Sequence, residues 1–308
     1  MKIMERRYES KNGIVERTRY IVGDNASPRK RKRKGATPFR KQEQNFNCAL
    51  RTVARILNCN FDHKDGLLLT LDYDLAGFES LMQNVSAEHR EILKKLQAPI
   101  GQIGTWGAKE KKAGTLEALG ESVEEAMQML RDAAEKQMML WFRRVKRKHC
   151  GKIKALLITS DLDHDTGELV RIHNHIVLQA DSISWDLLQK EWKLGSVDIR
   201  QLRAQPDYTP IATYLMRQVR RQPEKKKYRV TRGMEKPKIS NEIVVSSSEI
   251  KAPPGATVFE RSAYSVEHVA QYIRYVPKTK KDSTLPRRRT PHNDKKEDAE
   301  RRWESVVE

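Results

Sequence analysis

The strongest constraint on the fold is a pair of β-rich runs that directly follow a long amphipathic pattern. Residues 122–148 carry apolar side chains at spacings of three and four, which predicts a helix. Residues 153–160 and 170–178 are rich in aliphatic and β-branched residues and are joined across Asp-Thr-Gly at 165–167, which predicts a β-hairpin. The pattern therefore favours an antiparallel sheet covered by a helix.

The flanking segments extend this pattern on both sides. Residues 66–73 and 195–202 are predicted strands, and residues 184–192 are a predicted short helix. The resulting order is strand, helix, strand, strand, helix, strand, which is the split βαβ pattern. We therefore predict an α+β fold: one ferredoxin-like (RRM-like) antiparallel sheet with helices on one face, plus inserted and flanking helices. Further helices are predicted at 209–219 and 265–275.

The positive charge of the chain is concentrated in three segments. The chain has 60 Lys+Arg against 41 Asp+Glu, a net charge of +19. Residues 1–40 carry +9, residues 217–238 carry +8 and residues 278–289 carry +5, so the remainder is slightly acidic. A basic balance of this size predicts a polyanionic partner.

These clusters suggest a division of the chain. We predict a basic N-terminal arm at 1–60, a central domain at 61–245, and a C-terminal helix with a basic disordered tail at 246–308. The candidate phosphate-binding residues are Arg31, Lys32 and Arg33 in the arm and Arg220, Arg221, Lys225, Lys226 and Lys227 in the second cluster.

Several functional classes lack their sequence signals. No apolar run approaches the length of a membrane span, and the first residues have no apolar core of a secretory signal, so we expect a cytoplasmic protein. Cys48, Cys59 and Cys150 are an odd number without C-x-x-C spacing, which disfavours a disulfide scaffold and a zinc ribbon. The glycines at 101–107 do not form a phosphate-binding loop.

The tripeptide His173-Asn174-His175 lies within the predicted strand at 170–178. Residues two apart on a strand share a face, so the two imidazoles can bind one divalent metal ion while Asn174 faces away. A three-residue turn centred on Thr166 would place Asp161 on the histidine face as a third ligand. Asp163 is the second choice. The alternative is an exposed polar strand and an acid at the end of a hairpin.

Tyr214 lies in the predicted helix at 209–219, just before the second basic cluster. A phenol is a poor nucleophile until nearby positive charge favours its phenolate. A metal ion and guanidinium groups would provide that charge and also neutralise a phosphodiester. Taken alone, a tyrosine at this position is more often a half-buried packing residue, and only its combination with the two-histidine strand favours a nucleophile.

Together these segments resemble the HUH endonuclease superfamily, and within it the single-tyrosine rolling-circle replication initiators of plasmids and single-stranded DNA phages. The resemblance covers residues 60–240. Residues 67–73 look like the first family motif, 171–178 match the histidine motif with Asn174 in a normally hydrophobic place, and Tyr214 stands where the nucleophile belongs. The family usually has lysine three residues after the tyrosine, and here the residue is Arg217.

The resemblance implies an HUH endonuclease fold and a metal-dependent nick in single-stranded DNA. His173, His175 and an acidic group would hold Mg²⁺ or Mn²⁺, and Tyr214 would form a 5′ phosphotyrosine and leave a free 3′ hydroxyl. The implied partners are a single-stranded replication origin with an adjacent duplex or hairpin, and host replication proteins in a bacterial cytoplasm.

Three other interpretations remain. A relaxase or transposase of the same superfamily would use the same motifs. An HNH nuclease is disfavoured because that motif spreads its residues over a ββα unit. A non-catalytic protein that binds single-stranded nucleic acid is the third, but its sheet would usually present aromatic side chains, which make up only 6% of this chain.

Overall fold

The computed structural model of the chain describes residues 2–22, 39–97, 120–219, 227–244, 249–264 and 270–278. These residues form an α+β structure, as predicted, with two antiparallel five-stranded sheets. The described helices are α1 (Phe39–Asn60), α2 (Leu75–Met82), α3 (Ala87–Gln97), α4 (Glu121–Lys148), α5 (Trp185–Glu191) and α6 (Thr209–Arg217). The strands are β1 (Lys2–Glu9), β2 (Val15–Val22), β3 (Gly66–Leu71), β4 (Lys154–Leu162), β5 (Leu169–Gln179), β6 (Val197–Gln201), β7 (Arg229–Val230), β8 (Lys238–Val244), β9 (Thr257–Tyr264) and β10 (Ala270–Val276).

The first sheet has the strand order β6-β3-β5-β4-β7 and contains the predicted hairpin, β4 and β5. The predicted strands and helices between residues 66 and 202 all form. Strand β5 lies at the centre because its residues alternate between two buried faces, which explains its long aliphatic run. The histidine tripeptide therefore lies in the middle of the sheet.

Helices cover both faces of this sheet, not one face as predicted. On one face, α2, α3, α4 and α5 pack against residues such as Leu69, Leu157 and Ile176. On the other face, α1 and α6 pack against Ile158 and Val177. Each face thus has its own apolar core, and the side of β5 on which a residue lies determines which helices it meets.

The second sheet, with the order β8-β1-β2-β10-β9, was not predicted. It contains β1 and β2, so residues 2–22 are part of a sheet and not of a basic arm, and residues 39–60 form α1. The segment predicted as a C-terminal helix contains β10, which pairs with β2 and β9. Because β8 pairs with β1, the predicted boundaries at 60 and 245 do not separate the two sheets.

Helix α1 connects the two sheets through charged side chains. Arg55 donates to Glu16 of β2 at 2.7 Å, and its guanidinium lies 3.5 Å from the centroid of the Tyr8 ring. Arg51 lies in the same way over Tyr272 of β10, at 4.2 Å. One side of α1 is therefore apolar against the first sheet, and the other side is polar against the second.

A search of the described helices for membrane-spanning segments found none that combines the required length with sufficient apolar character.

Candidate metal and nucleophile site

The two histidines of β5 lie on the face that α6 covers. His173 is opposite Ser160 of β4, and His175 is opposite Thr70 of β3 and Ile158 of β4. Asn174 faces the α4 side, where it accepts from Thr159 at 2.9 Å and donates to the Tyr73 hydroxyl at 2.7 Å. The predicted alternation of these three residues is therefore observed.

Three polar atoms converge between β5 and the end of α6. Nε2 of His173 lies 3.0 Å from Nε2 of His175, and each nitrogen lies 3.1 Å from Oε1 of Gln218. Gln218 follows α6 directly and is buried. Its Nε2 donates to the backbone carbonyl of Tyr214 at 3.3 Å, so the amide oxygen faces the histidines.

Neighbouring groups determine which histidine nitrogens can bind an ion. Nδ1 of His173 lies 2.9 Å from the carbonyl oxygen of Arg171, which can only accept, so Nδ1 carries the proton and Nε2 has a free lone pair. Nδ1 of His175 lies 3.2 Å from the Thr70 hydroxyl, which can accept its proton. Burial, together with His173, lowers the pKa of His175 to about 3, so this imidazole is neutral at pH 7.

This set of atoms fits a divalent cation. Adjacent ligands of an octahedral ion with bonds of about 2.1 Å lie about 3.0 Å apart, which matches the triangle of His173, His175 and Gln218. Neutral imidazole and an amide oxygen are ligands that divalent metals accept. The Ser160 hydroxyl beside His173 is buried and has no hydrogen-bond partner among the described residues, so a polar atom remains available next to the triangle.

Tyr214 lies beside this triangle. Its ring centroid is 5.5 Å from that of His175 and 5.2 Å from that of His164, so the phenol is held between two imidazoles. Burial raises the pKa of Tyr214 above its usual value, whereas Gln218 and the positive charge of Arg200 oppose that rise. Formation of the phenolate therefore requires additional positive charge.

Asp161 does not lie with the histidines, contrary to the prediction. The observed register pairs Thr159 with Asn174, one residue away from the predicted pairing, and a one-residue shift moves a side chain to the other face. Asp161 is fully buried, and its Oδ1 accepts from Arg131 of α4 at 2.6 Å.

Only one group of His, Cys, Asp and Glu side chains in the described part of the chain brings three possible metal-binding atoms within 4.8 Å of one another. It consists of Asp163, His164 and Asp165 in the hairpin turn. This group could hold a metal ion, but Oδ1 of Asp163 already accepts from the backbone of Asp165 and from the Thr166 backbone and hydroxyl. The position of the Asp163 carboxylate is therefore explained by its hydrogen bonds within the turn.

The other predicted residues are placed as follows. Arg217 is exposed at the end of α6, three residues after Tyr214. Lys227 is half-buried, and burial followed by the nearby Arg131 lowers its pKa, which makes it a weaker phosphate ligand than predicted. Arg31, Lys32, Arg33, Arg220, Arg221, Lys225 and Lys226 lie outside the described residues.

Sequence reasoning did not identify Gln218, Thr70 or Arg200. Gln218 follows Tyr214 by four residues, one helical turn, so its position on the same side of α6 was a usable signal. Thr70 and Arg200 come to the site only through the pairing of β3 with β5 and β6.

Comparisons of the chain with protein-family models, with curated proteins and with solved structures found no match.

Proposed function

We propose that this protein cleaves and rejoins single-stranded DNA through Tyr214, as a rolling-circle replication initiator with an HUH-type site. The observation that carries the proposal is the position of the Tyr214 ring beside a triangle formed by His173, His175 and Gln218. The strand order β6-β3-β5-β4, with α4 and α5 in the crossovers, supports the proposal because it corresponds to the split βαβ arrangement.

His173, His175 and Gln218 would hold Mg²⁺ or Mn²⁺. The ion would supply Lewis-acid polarisation of the scissile phosphate. Thr70 orients His175, and the carbonyl of Arg171 orients His173, so both Nε2 atoms are fixed before substrate binds. This preorganisation reduces the reorganisation that substrate binding requires.

In the proposed reaction, Oη of Tyr214 attacks phosphorus and the bond from phosphorus to the 3′ oxygen breaks. The tyrosine loses its proton, and the departing 3′ oxygen gains one. Arg200 stabilises the phenolate, and Arg217 is exposed one turn along α6, where it can contact a phosphate of the bound strand. The phosphotyrosine ester retains the energy of the broken bond, so attack by a 3′ hydroxyl rejoins the strand without ATP.

The test uses the full chain, Mn²⁺ and a pool of single-stranded oligonucleotides with a randomised central region. We expect a covalent protein–DNA adduct that survives denaturing electrophoresis and carries the nucleotide on Tyr214 by mass spectrometry. Tyr214→Phe removes only the hydroxyl and should abolish the adduct. Tyr228→Phe, at another half-buried tyrosine, is the matched control and should retain it. An adduct formed by Tyr214→Phe, or none formed by the wild-type chain, would show that the proposal is wrong.

A further inference from the structure

The end of α4 and the turn that follows it form a dense basic segment outside the site. Residues 143–154 contain seven Lys or Arg and no Asp or Glu. Three of the seven have acidic partners: Arg144 and Lys148 pair with Glu191, and Lys154 pairs with Glu235.

The other four basic residues, Arg143, Lys146, Arg147 and Lys152, are all exposed. None of them forms an ion pair with a residue that the structure describes. We call these four residues the α4 basic patch. Cations in a last helical turn stabilise the helix dipole, but that dipole amounts to about half a negative charge. Helix stability therefore leaves most of this charge unexplained.

The patch lies far from the histidines. Strand β4 begins at Lys154, and Ser160, the residue opposite His173, follows six residues later. At about 3.3 Å per residue this separation is roughly 20 Å along the strand. Helix α4 also packs on the sheet face opposite that of Tyr214. The patch and the tyrosine therefore cannot contact the same phosphate.

The chemistry of the patch favours the backbone of duplex DNA. Surfaces that bind single strands combine positive charge with aromatic side chains on which bases stack, and residues 143–154 contain no Phe, Tyr or Trp. Duplex binding without base readout needs only basic groups that reach phosphates. Arg143, Lys146 and Arg147 have the i, i+3, i+4 spacing that places them on one side of the helix.

We propose that the α4 basic patch binds the phosphate backbone of duplex DNA that adjoins the cleaved single strand. This inference rests on the proposed function for the identity of the nucleic acid. A separation of roughly 20 Å corresponds to about six base pairs of duplex, at about 3.4 Å each along one strand. Because the patch also lies on the opposite face of the sheet, the path from Tyr214 is longer than this, so a duplex or hairpin beside the nick must extend beyond about six base pairs and pass the edge of the sheet to reach the patch.

The experiment compares two fourfold alanine variants with equal net charge. One variant replaces the four patch residues. The matched control replaces four dispersed exposed lysines, Lys2, Lys64, Lys136 and Lys278. Affinity for a fluorescent duplex of arbitrary sequence is measured by anisotropy over a series of salt concentrations. Thermal melting checks that both variants fold like the wild-type chain.

We expect the patch variant to bind the duplex more weakly. The slope of log K against log salt concentration should be smaller in magnitude by about 3–4, because four phosphate contacts are lost at about 0.9 each. The control should change much less. Both variants should bind a ten-nucleotide single strand as the wild-type chain does, and both should form the Tyr214 adduct with it.

The inference would be overturned if the two variants showed the same salt slope for duplex binding. It would also be overturned if the patch variant lost as much affinity for the single strand as for the duplex. Binding of the patch to anionic lipid vesicles in preference to duplex DNA would also overturn it. Absence of the adduct in the wild-type chain would refute the proposed function instead. The duplex titration does not depend on cleavage, so the two failures can be distinguished.

Discussion

Replacing Gln218 with Ala should weaken Mn²⁺ binding strongly while leaving the fold intact. The amide oxygen is one of three atoms at nearly equal spacing, 3.1 Å from each histidine nitrogen. Loss of an outer-shell partner typically costs 10- to 100-fold in metal affinity. Loss of a direct ligand should cost at least that, or about 1.4–2.8 kcal/mol or more. Gln218→Glu should bind at least as tightly as the wild-type chain because carboxylates suit Mn²⁺.

The assay is a Mn²⁺ titration of the full chain, in which electron paramagnetic resonance reports free Mn²⁺. Gln189→Ala, at an exposed glutamine of α5, is the matched control and should leave the Kd unchanged. Thermal melting without metal should show that all variants fold, with a modest loss of stability for Gln218→Ala because its buried side chain also donates to the Tyr214 carbonyl. If Gln218→Ala and Gln189→Ala bind Mn²⁺ equally well, Gln218 is not a ligand, and the close spacing of its amide oxygen to the two histidine nitrogens does not reflect metal binding.

Two further predictions concern residues around the site. Asp161→Asn should destabilise the chain by about 3–5 kcal/mol in urea unfolding, because it leaves the guanidinium of Arg131 buried without its carboxylate. Its Mn²⁺ affinity should not change, and weaker Mn²⁺ binding at native stability would instead make Asp161 a ligand. His164→Ala should slow adduct formation roughly 2- to 10-fold through loss of the ring contact with Tyr214. His164→Phe should preserve the rate, and a Phe variant as slow as the Ala variant would show that the imidazole itself is required.

The sequence predicted the first sheet well because its signals are local. The apolar spacing of α4 and the two aliphatic runs of β4 and β5 are visible within short windows, and each formed near its predicted bounds. The register of the hairpin was wrong by one residue. The turn is longer than three residues, because Leu162 pairs with Leu169 and the side chain of Asp163 organises the residues between them. That error placed Asp161 on the histidine face in the prediction, whereas in the structure it lies at an irregularity between Ser160 and Leu162 and faces α4.

The second sheet escaped prediction because its core contains charges and its pairings span the chain. In β1 and β2 the buried positions include Glu5 and Arg19, which bond to each other at 2.7 Å, so the strands lack a clear apolar alternation. Strand β10 pairs with β2, about 250 residues earlier in the chain. A local pattern does not contain that information, and the charge of the first 40 residues suggested an arm instead.

Asn174 anchors the central strand on the face opposite the two histidines. The HUH motif that this segment resembles usually has an apolar residue between the histidines, but here the amide joins Thr159 to the Tyr73 hydroxyl, which in turn donates to the carbonyl of Ala134 in α4 at 3.3 Å. This chain of hydrogen bonds is buried, so a shift of β5 would leave polar groups without partners at a cost of about 1–3 kcal/mol each. Asn174 thus anchors β5 to β4 and, through Tyr73, to α4 on one face, and His173 and His175 hold two imidazole nitrogens 3.0 Å apart on the other. Asn174 therefore fixes the position of β5 in the sheet, while Thr70, the Arg171 carbonyl and Gln218 orient the two imidazoles on the other face.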